Sequence, residues 1–175
     1  MLLSRDELIA TLFRETDRAQ RIKTSLALLL CWIDGPDLSE PPYDRHDLDD
    51  AIREVGHRTF RLLRCYDSVG QISEREFGLV LPGCNSFNAV SLAERLKIDV
   101  FGSPVMIAGK HVRLAACFGI AGSGGRSSLA VFRNAEQALK SARATGPGSI
   151  ERCACDTEPD AASFLMPVTD SALHW

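Results

Sequence analysis

The sequence predicts an α+β fold, a central and mainly antiparallel sheet with helices packed across it. Three observations carry that reading. Ser25–Ile33 is an unbroken apolar run of strand length, as required of a central strand buried on both faces. Four longer segments, Asp6–Lys23, Asp47–Leu63, Ser86–Val100 and Ser127–Thr145, read as helices. The remaining strand-like runs fall in adjacent pairs around turn residues, which suits hairpin pairing.

Each element follows from its residues. Asp6 to about Lys23 is expected to set Leu8, Leu12 and Phe13 on one face. Ser25–Ile33 then takes the middle of the sheet. Asp34–Tyr43 holds three prolines and a glycine, which excludes regular structure. Asp47–Leu63 carries Leu48, Ala51, Ile52, Val55, Phe60 and Leu63 in an amphipathic pattern. Tyr66–Ile72 and Phe77–Leu81 are strands about a turn at Ser73–Glu76, and Asn85 or Ser86 is placed to cap the next helix. Val105–Ala108 and Val112–Ala121 read as a hairpin turning at Gly109-Lys110. Gly146-Pro147-Gly148 ends the last helix. Leu28, Leu30, Ile33, Val80 and Phe118 are expected in the core. The domain should span residues 1–152, with 153–175 a flexible tail whose Phe164-Leu165-Met166 and Trp175 could dock on the domain or a partner.

A chain of 175 residues is long enough for one well-buried domain, and 45% hydrophobic with 25% charged residues is ordinary for a soluble protein. The net charge of −3 gives no support for nucleic-acid or membrane binding. No apolar run is long enough to span a bilayer, so the expected location is the cytoplasm. The six cysteines form no disulfide framework; Cys31 and Cys117 read as small core residues. Cys153-Ala154-Cys155 could bind a metal, but no Cys/His pair of zinc spacing accompanies it, and no metal site is expected.

Several motifs recur in a fixed order. Asp47-Leu48-Asp49-Asp50 opens a helix, Ser73-Glu74-Arg75-Glu76-Phe77 forms a hairpin tip, and Phe77-Gly78-Leu79-Val80-Leu81-Pro82 follows it. Ala93-Glu94-Arg95, Cys117-Phe118-Gly119 and Ala135–Arg143 come later. In this order they resemble the GGDEF-type diguanylate cyclases over roughly residues 2–152, which implies a nucleotide-cyclase-like palm. The departures fall on the catalytic half-site. The resemblance places Ser73 and Glu74 where the family has two glycines that let the backbone approach phosphates. Arg75 stands at the acidic metal ligand, and Trp32 at the metal-binding Asp ending the first strand. Hard divalent cations take oxygen ligands, and a guanidinium offers only donors and a positive charge. Glu40 replaces the guanine-reading Asn, and Arg143 and Pro147 replace a phosphate-binding Lys and Arg. Asp34, Asp49 and Glu76 keep their acidic character. Each also has a structural role open to it: Asp34 at the start of a loop, Asp49 in a first helical turn, Glu76 paired within the hairpin. No catalytic residue, magnesium site or cofactor is therefore expected.

Arg64-Cys65-Tyr66-Asp67 stands just before the turn, at the spacing of the family's Arg-x-x-Asp inhibitory site. The resemblance implies that the product, cyclic di-GMP, binds there. A guanidinium can fork onto phosphate or a guanine edge, and a carboxylate can accept guanine N–H groups. Arg95 lies where the family supplies a further arginine, and Arg18 where some members supply one from a neighbouring subunit. Three readings follow. The first is a catalytically inactive cyclic di-GMP receptor of bacterial signalling, using Arg64, Asp67, Arg95 and Arg18 and acting on a protein partner or a homodimer. The second is an interaction module that binds no nucleotide, and the third is a weak or altered cyclase working through Glu76 and Asp49.

Overall fold

The computed structural model describes residues 1–35 and 42–156. Strand β1 (Leu26–Asp34) organises the molecule. Side chains alternate across a strand, so the run splits cleanly between two cores. Ala27, Leu29, Cys31 and Ile33 face helices α2 (Arg45–Phe60) and α3 (Ser86–Asp99), whereas Leu26, Leu28 and Leu30 face α1 (Arg5–Ile22) and α4 (Ser128–Thr145). β1 runs antiparallel to β3 (Glu76–Pro82) on one side and to β6 (Ala115–Gly122) on the other. β2 (Ser68–Ser73) pairs with β3, and β7 (Ile150–Arg152) lies parallel to β6, giving the order β2-β3-β1-β6-β7. β4 (Val105–Ile107) and β5 (Lys110–Val112) make a separate two-stranded sheet. The five expected core residues, Leu28, Leu30, Ile33, Val80 and Phe118, are all buried.

The helix starts follow their capping residues. Ser4 and Glu7 close a reciprocal capping box on α1, and Asp44 and Asp47 close another on α2. Asn85, rather than Ser86, caps α3, its Oδ1 accepting the Asn88 N–H at 2.8 Å. α4 approaches β6 so closely at Gly119 that a Cβ there would lie 2.5 Å from the Ala135 carbonyl oxygen and against the Leu139 backbone.

Several expectations change. Phe13 is 52% exposed, because the buried stripe of α1 runs through Leu8, Thr11, Leu12, Thr16 and Ala19 and leaves position 13 off to one side. Phe60 is exposed to the same degree at the last position of α2, which ends three residues before Leu63. Asp49 falls beyond the first turn of α2, which Asp44 caps and Asp47 closes. β2 begins at Ser68, since Tyr66 and Asp67 belong to a turn. The expected second hairpin splits. β4 and β5 turn at Ala108-Gly109, both at positive φ, and the strand from Ala115 onward joins the main sheet instead. The packed chain also runs past Arg152: the Cys153 N–H donates to the Ile120 carbonyl at 2.8 Å, and the Asp156 carboxylate holds Arg126 at 2.8 Å. Glu40 and the apolar residues near the C-terminus lie outside the described residues.

Candidate functional site

At the hairpin tip Ser73 faces Glu76 across a two-residue turn, Glu74-Arg75. Neither turn residue has positive φ, so the loop closes without glycine. The tip is tied to the end of β1, the Ile33 N–H donating to the Arg75 carbonyl at 2.8 Å. Glu74 meets Arg45 at 3.4 Å in an exposed ion pair of little energetic weight. Trp32 sits between Glu76 and Cys117 in the sheet, and the Arg143 guanidinium lies over its ring at 3.8 Å from the centroid. That is a stacked cation–π contact. Glu76 is half-buried; burial first, and Glu136 second, push its carboxyl up, against the pull of Arg143 and Arg5. Asp34 accepts the Cys117 thiol at 3.3 Å, a thiol that also lies 3.3 Å from the Gly146 carbonyl oxygen. Asp49 is exposed, and Pro147 lies in the turn after α4.

The second cluster is built by one tight turn and one helix. The Asp67 N–H donates to the Arg64 carbonyl at 3.1 Å, and the Arg64 N–H donates to Asp67 Oδ2 at 2.8 Å. The Arg-x-x-Asp spacing is thus a turn closed from both ends, which sets both side chains on one edge of the sheet. Across from them α3 presents Asn88, Ser91, Leu92 and Arg95, and together these line a hollow of about 360 Å³. Leu62, Leu81 and Leu92 give it apolar walls. Arg64 is exposed, donates to the Tyr66 hydroxyl at 3.0 Å, and is held firmly protonated by that bond. Burial holds the Asp67 carboxyl above its ordinary value, partly offset by the Arg64 N–H and charge. Arg18 is not in this hollow. It is exposed, paired with Glu15 at 3.6 Å, and lines the neighbouring depression with which the hollow shares Gly83.

Cys84 and Asn88 were not anticipated here. Asn88, Leu92 and Arg95 have the spacing of one helix face, a signal the sequence carries. Cys84 arrives only through the tertiary fold. Two guanidiniums, one carboxylate and apolar walls form a set able to bind phosphate and a hydrogen-bonding heterocycle together.

A five-stranded sheet of this order, with helix pairs on both faces and a hairpin tip against the central strand, is the α+β architecture expected from the sequence. The family model described as diguanylate cyclase, GGDEF domain, matches residues 1–149, and the chain belongs to that family. It is 31% identical over 129 residues to an uncharacterised protein, y4lL, of Sinorhizobium fredii, covering 73% of this chain and 16% of that protein. The chain spans about a quarter or less of the length of the curated relatives it matches. Among solved structures, the active GGEEF domain of a Vibrio cholerae diguanylate cyclase superposes with a TM-score of 0.77 at 21% identity, covering 87% of this chain and 98% of that one. The GGDEF domain of DgcB from Caulobacter crescentus, in complex with c-di-GMP, gives 0.74 at 17% identity, covering 87% and 89%. At these identities the likeness is one of fold. Among the described residues, no helix is long and apolar enough to cross a membrane.

Proposed function

We propose that this chain is a GGDEF domain without cyclase activity that acts as a cyclic di-GMP receptor in bacterial signalling. Occupancy of the Arg64, Asp67 and Arg95 hollow changes its contact with a protein partner or with a second copy of itself. The observation that carries the reading is the convergence of those three side chains on one hollow of about 360 Å³, at the end of the β2–β3 pair away from the Glu74-Arg75 tip. Arg18 contributes from a neighbouring copy if the ligand bridges two domains.

The residues at the hairpin do not fit magnesium. An indole and a guanidinium stand where two oxygen donors are needed, and Arg143 covers the indole at 3.8 Å. Asp34 is occupied with the Cys117 thiol, and Glu76 is half-buried among mixed charges. The protein incubated with GTP and magnesium is therefore expected to form no cyclic di-GMP above a no-protein control, read by chromatography. The double variant Trp32→Asp, Arg75→Asp is expected to stay inactive, because Glu40 and Pro147 also differ from the family's GTP-binding residues. Recovered activity in that variant would show the rest of the GTP site to be intact.

Calorimetric titration tests the receptor reading. Truncating a hydrogen-bonded charge in a largely desolvated contact costs about 2–5 kcal/mol, and about 1.4 kcal/mol is tenfold in affinity. Arg64→Ala is expected to weaken cyclic di-GMP binding at least tenfold. Asp67→Asn, which keeps an acceptor for the Arg64 N–H, is expected to do the same. Arg95→Ala should cost less and remove part of the salt dependence. Arg133→Ala, on α4 across the sheet, should change nothing. Absence of heat with micromolar ligand would leave the interaction-module reading in front, and binding undiminished by Arg64→Ala would put the ligand elsewhere.

A further inference from the structure

We propose that Cys153 and Cys155 form a redox-active dithiol, a modification site that closes to an intrachain disulfide by reducing a low-molecular-weight disulfide of the glutathione class. The two Sγ atoms lie 2.8 Å apart, and the Cys155 N–H donates to Cys153 Sγ at 3.4 Å. Both are free thiols, Cys153 buried and Cys155 exposed.

The main chain on each side is fastened, so the thiols are held together. The Cys153 N–H donates to Ile120 O at 2.8 Å, and the Asp156 N–H to Cys153 O at 3.1 Å. Arg126 donates to both the Asp156 carboxylate and the Cys155 carbonyl at 2.8 Å. The Gly122 N–H donates to the other Asp156 oxygen, again at 2.8 Å. Holding two reactants in contact replaces an encounter in solution with an intramolecular step.

Exposure divides the roles. Cys155, as thiolate, attacks one sulfur of the external disulfide, forms a mixed disulfide and expels one thiolate. Cys153 then attacks Cys155 Sγ and expels the second. Two electrons pass from the protein to the external disulfide, and the two thiol protons end on the two released thiols. Burial pushes the Cys153 thiol up, which leaves the first attack to its partner. A bridge across a single intervening residue is strained, and strained disulfides are the readily reduced ones. The site is thus reversible in a glutathione pool. A metal is the poorer fit: two thiolates are half a tetrahedral zinc set, and no cluster of three or more His, Cys, Asp or Glu able to hold a metal occurs among the described residues.

The test equilibrates the full chain without oxygen in glutathione buffers from reduced to oxidised, quenches with acid, and reads intact mass and peptide maps. The wild type is expected to lose two hydrogens at Cys153–Cys155. This should occur at a glutathione-disulfide level roughly tenfold below that which caps the exposed thiol of Cys65. Cys153→Ser should stop with one glutathione on Cys155, and Cys155→Ala should leave the buried Cys153 unmodified. Three outcomes would overturn the proposal: glutathione retained on wild-type Cys155, closure only at levels that also cap Cys65, or a bridge joining other cysteines. Urea unfolding of the exposed-site variant Cys155→Ala checks that the fold is intact.

Discussion

Gly119→Ala is expected to lower the urea unfolding midpoint steeply, with a loss at or beyond the top of the usual overpacking range of about 1–3 kcal/mol. The added methyl would point at α4, 2.5 Å from the Ala135 carbonyl oxygen and against the main chain of Leu139. These neighbours are helical backbone, so no side-chain rotation relieves the contact. Either α4 lifts off the sheet, exposing Leu139 and Ala142, or β6 bends away from β1. Gly122→Ala is the control, because its Cβ would sit at an ordinary 3.5 Å from Ser86 and Asp156. An unchanged slope with a shifted midpoint identifies a stability effect. Equal stability of Gly119→Ala and wild type would mean that helix and strand lie farther apart.

Leu30→Ala is expected to cost about 2–5 kcal/mol, toward the upper end of that range for buried leucines. Leu30 is fully buried, and its cross-strand partners on both sides are glycines, Gly78 and Gly119. Two neighbours without side chains cannot lean into the vacated volume. The Leu30 side chain already lies 3.4 Å from where a Gly78 Cβ would be, with Leu8 and Ile72 close by. The cavity therefore persists, and persistence is what separates costly truncations from mild ones. Thermal or urea unfolding checks the value, and a loss near zero would contradict the burial of β1.

What the sequence disclosed tracks how local each signal is. The β1 run was legible because a strand buried on both faces has no polar position to confuse it. α1 and α4 were legible through their periodicity, whereas the Arg64–Asp67 turn was read as the start of a strand, because its closure depends on the Asp67 side chain accepting the Arg64 N–H. β7 was not, since Ile150, Glu151 and Arg152 are a half-buried triplet whose strand character comes only from pairing with β6. The break between β5 and β6 was hidden for a related reason: Leu114 is apolar and continues the run, yet it turns into the core. In the hollow, Arg64, Asp67 and Arg95 could be placed by resemblance. Cys84 and the apolar walls come from elements that meet only in three dimensions. Asp156 lay beyond the last periodic segment, and its grip on Arg126 is a contact between residues 30 positions apart.

The Trp32–Arg143 stack makes the two positions interdependent, so that neither can change alone without loss. Trp32→Asp alone would set a carboxylate beneath the guanidinium, and the two would neutralise each other in a charge-assisted pair instead of holding a cation and a phosphate separately. Arg143→Lys alone would strip the indole of the flat partner that covers it at 3.8 Å. Each single change thus passes through an arrangement poorer than the present one, and only a paired replacement of Trp32 and Arg143 keeps a matched contact at this end of β1.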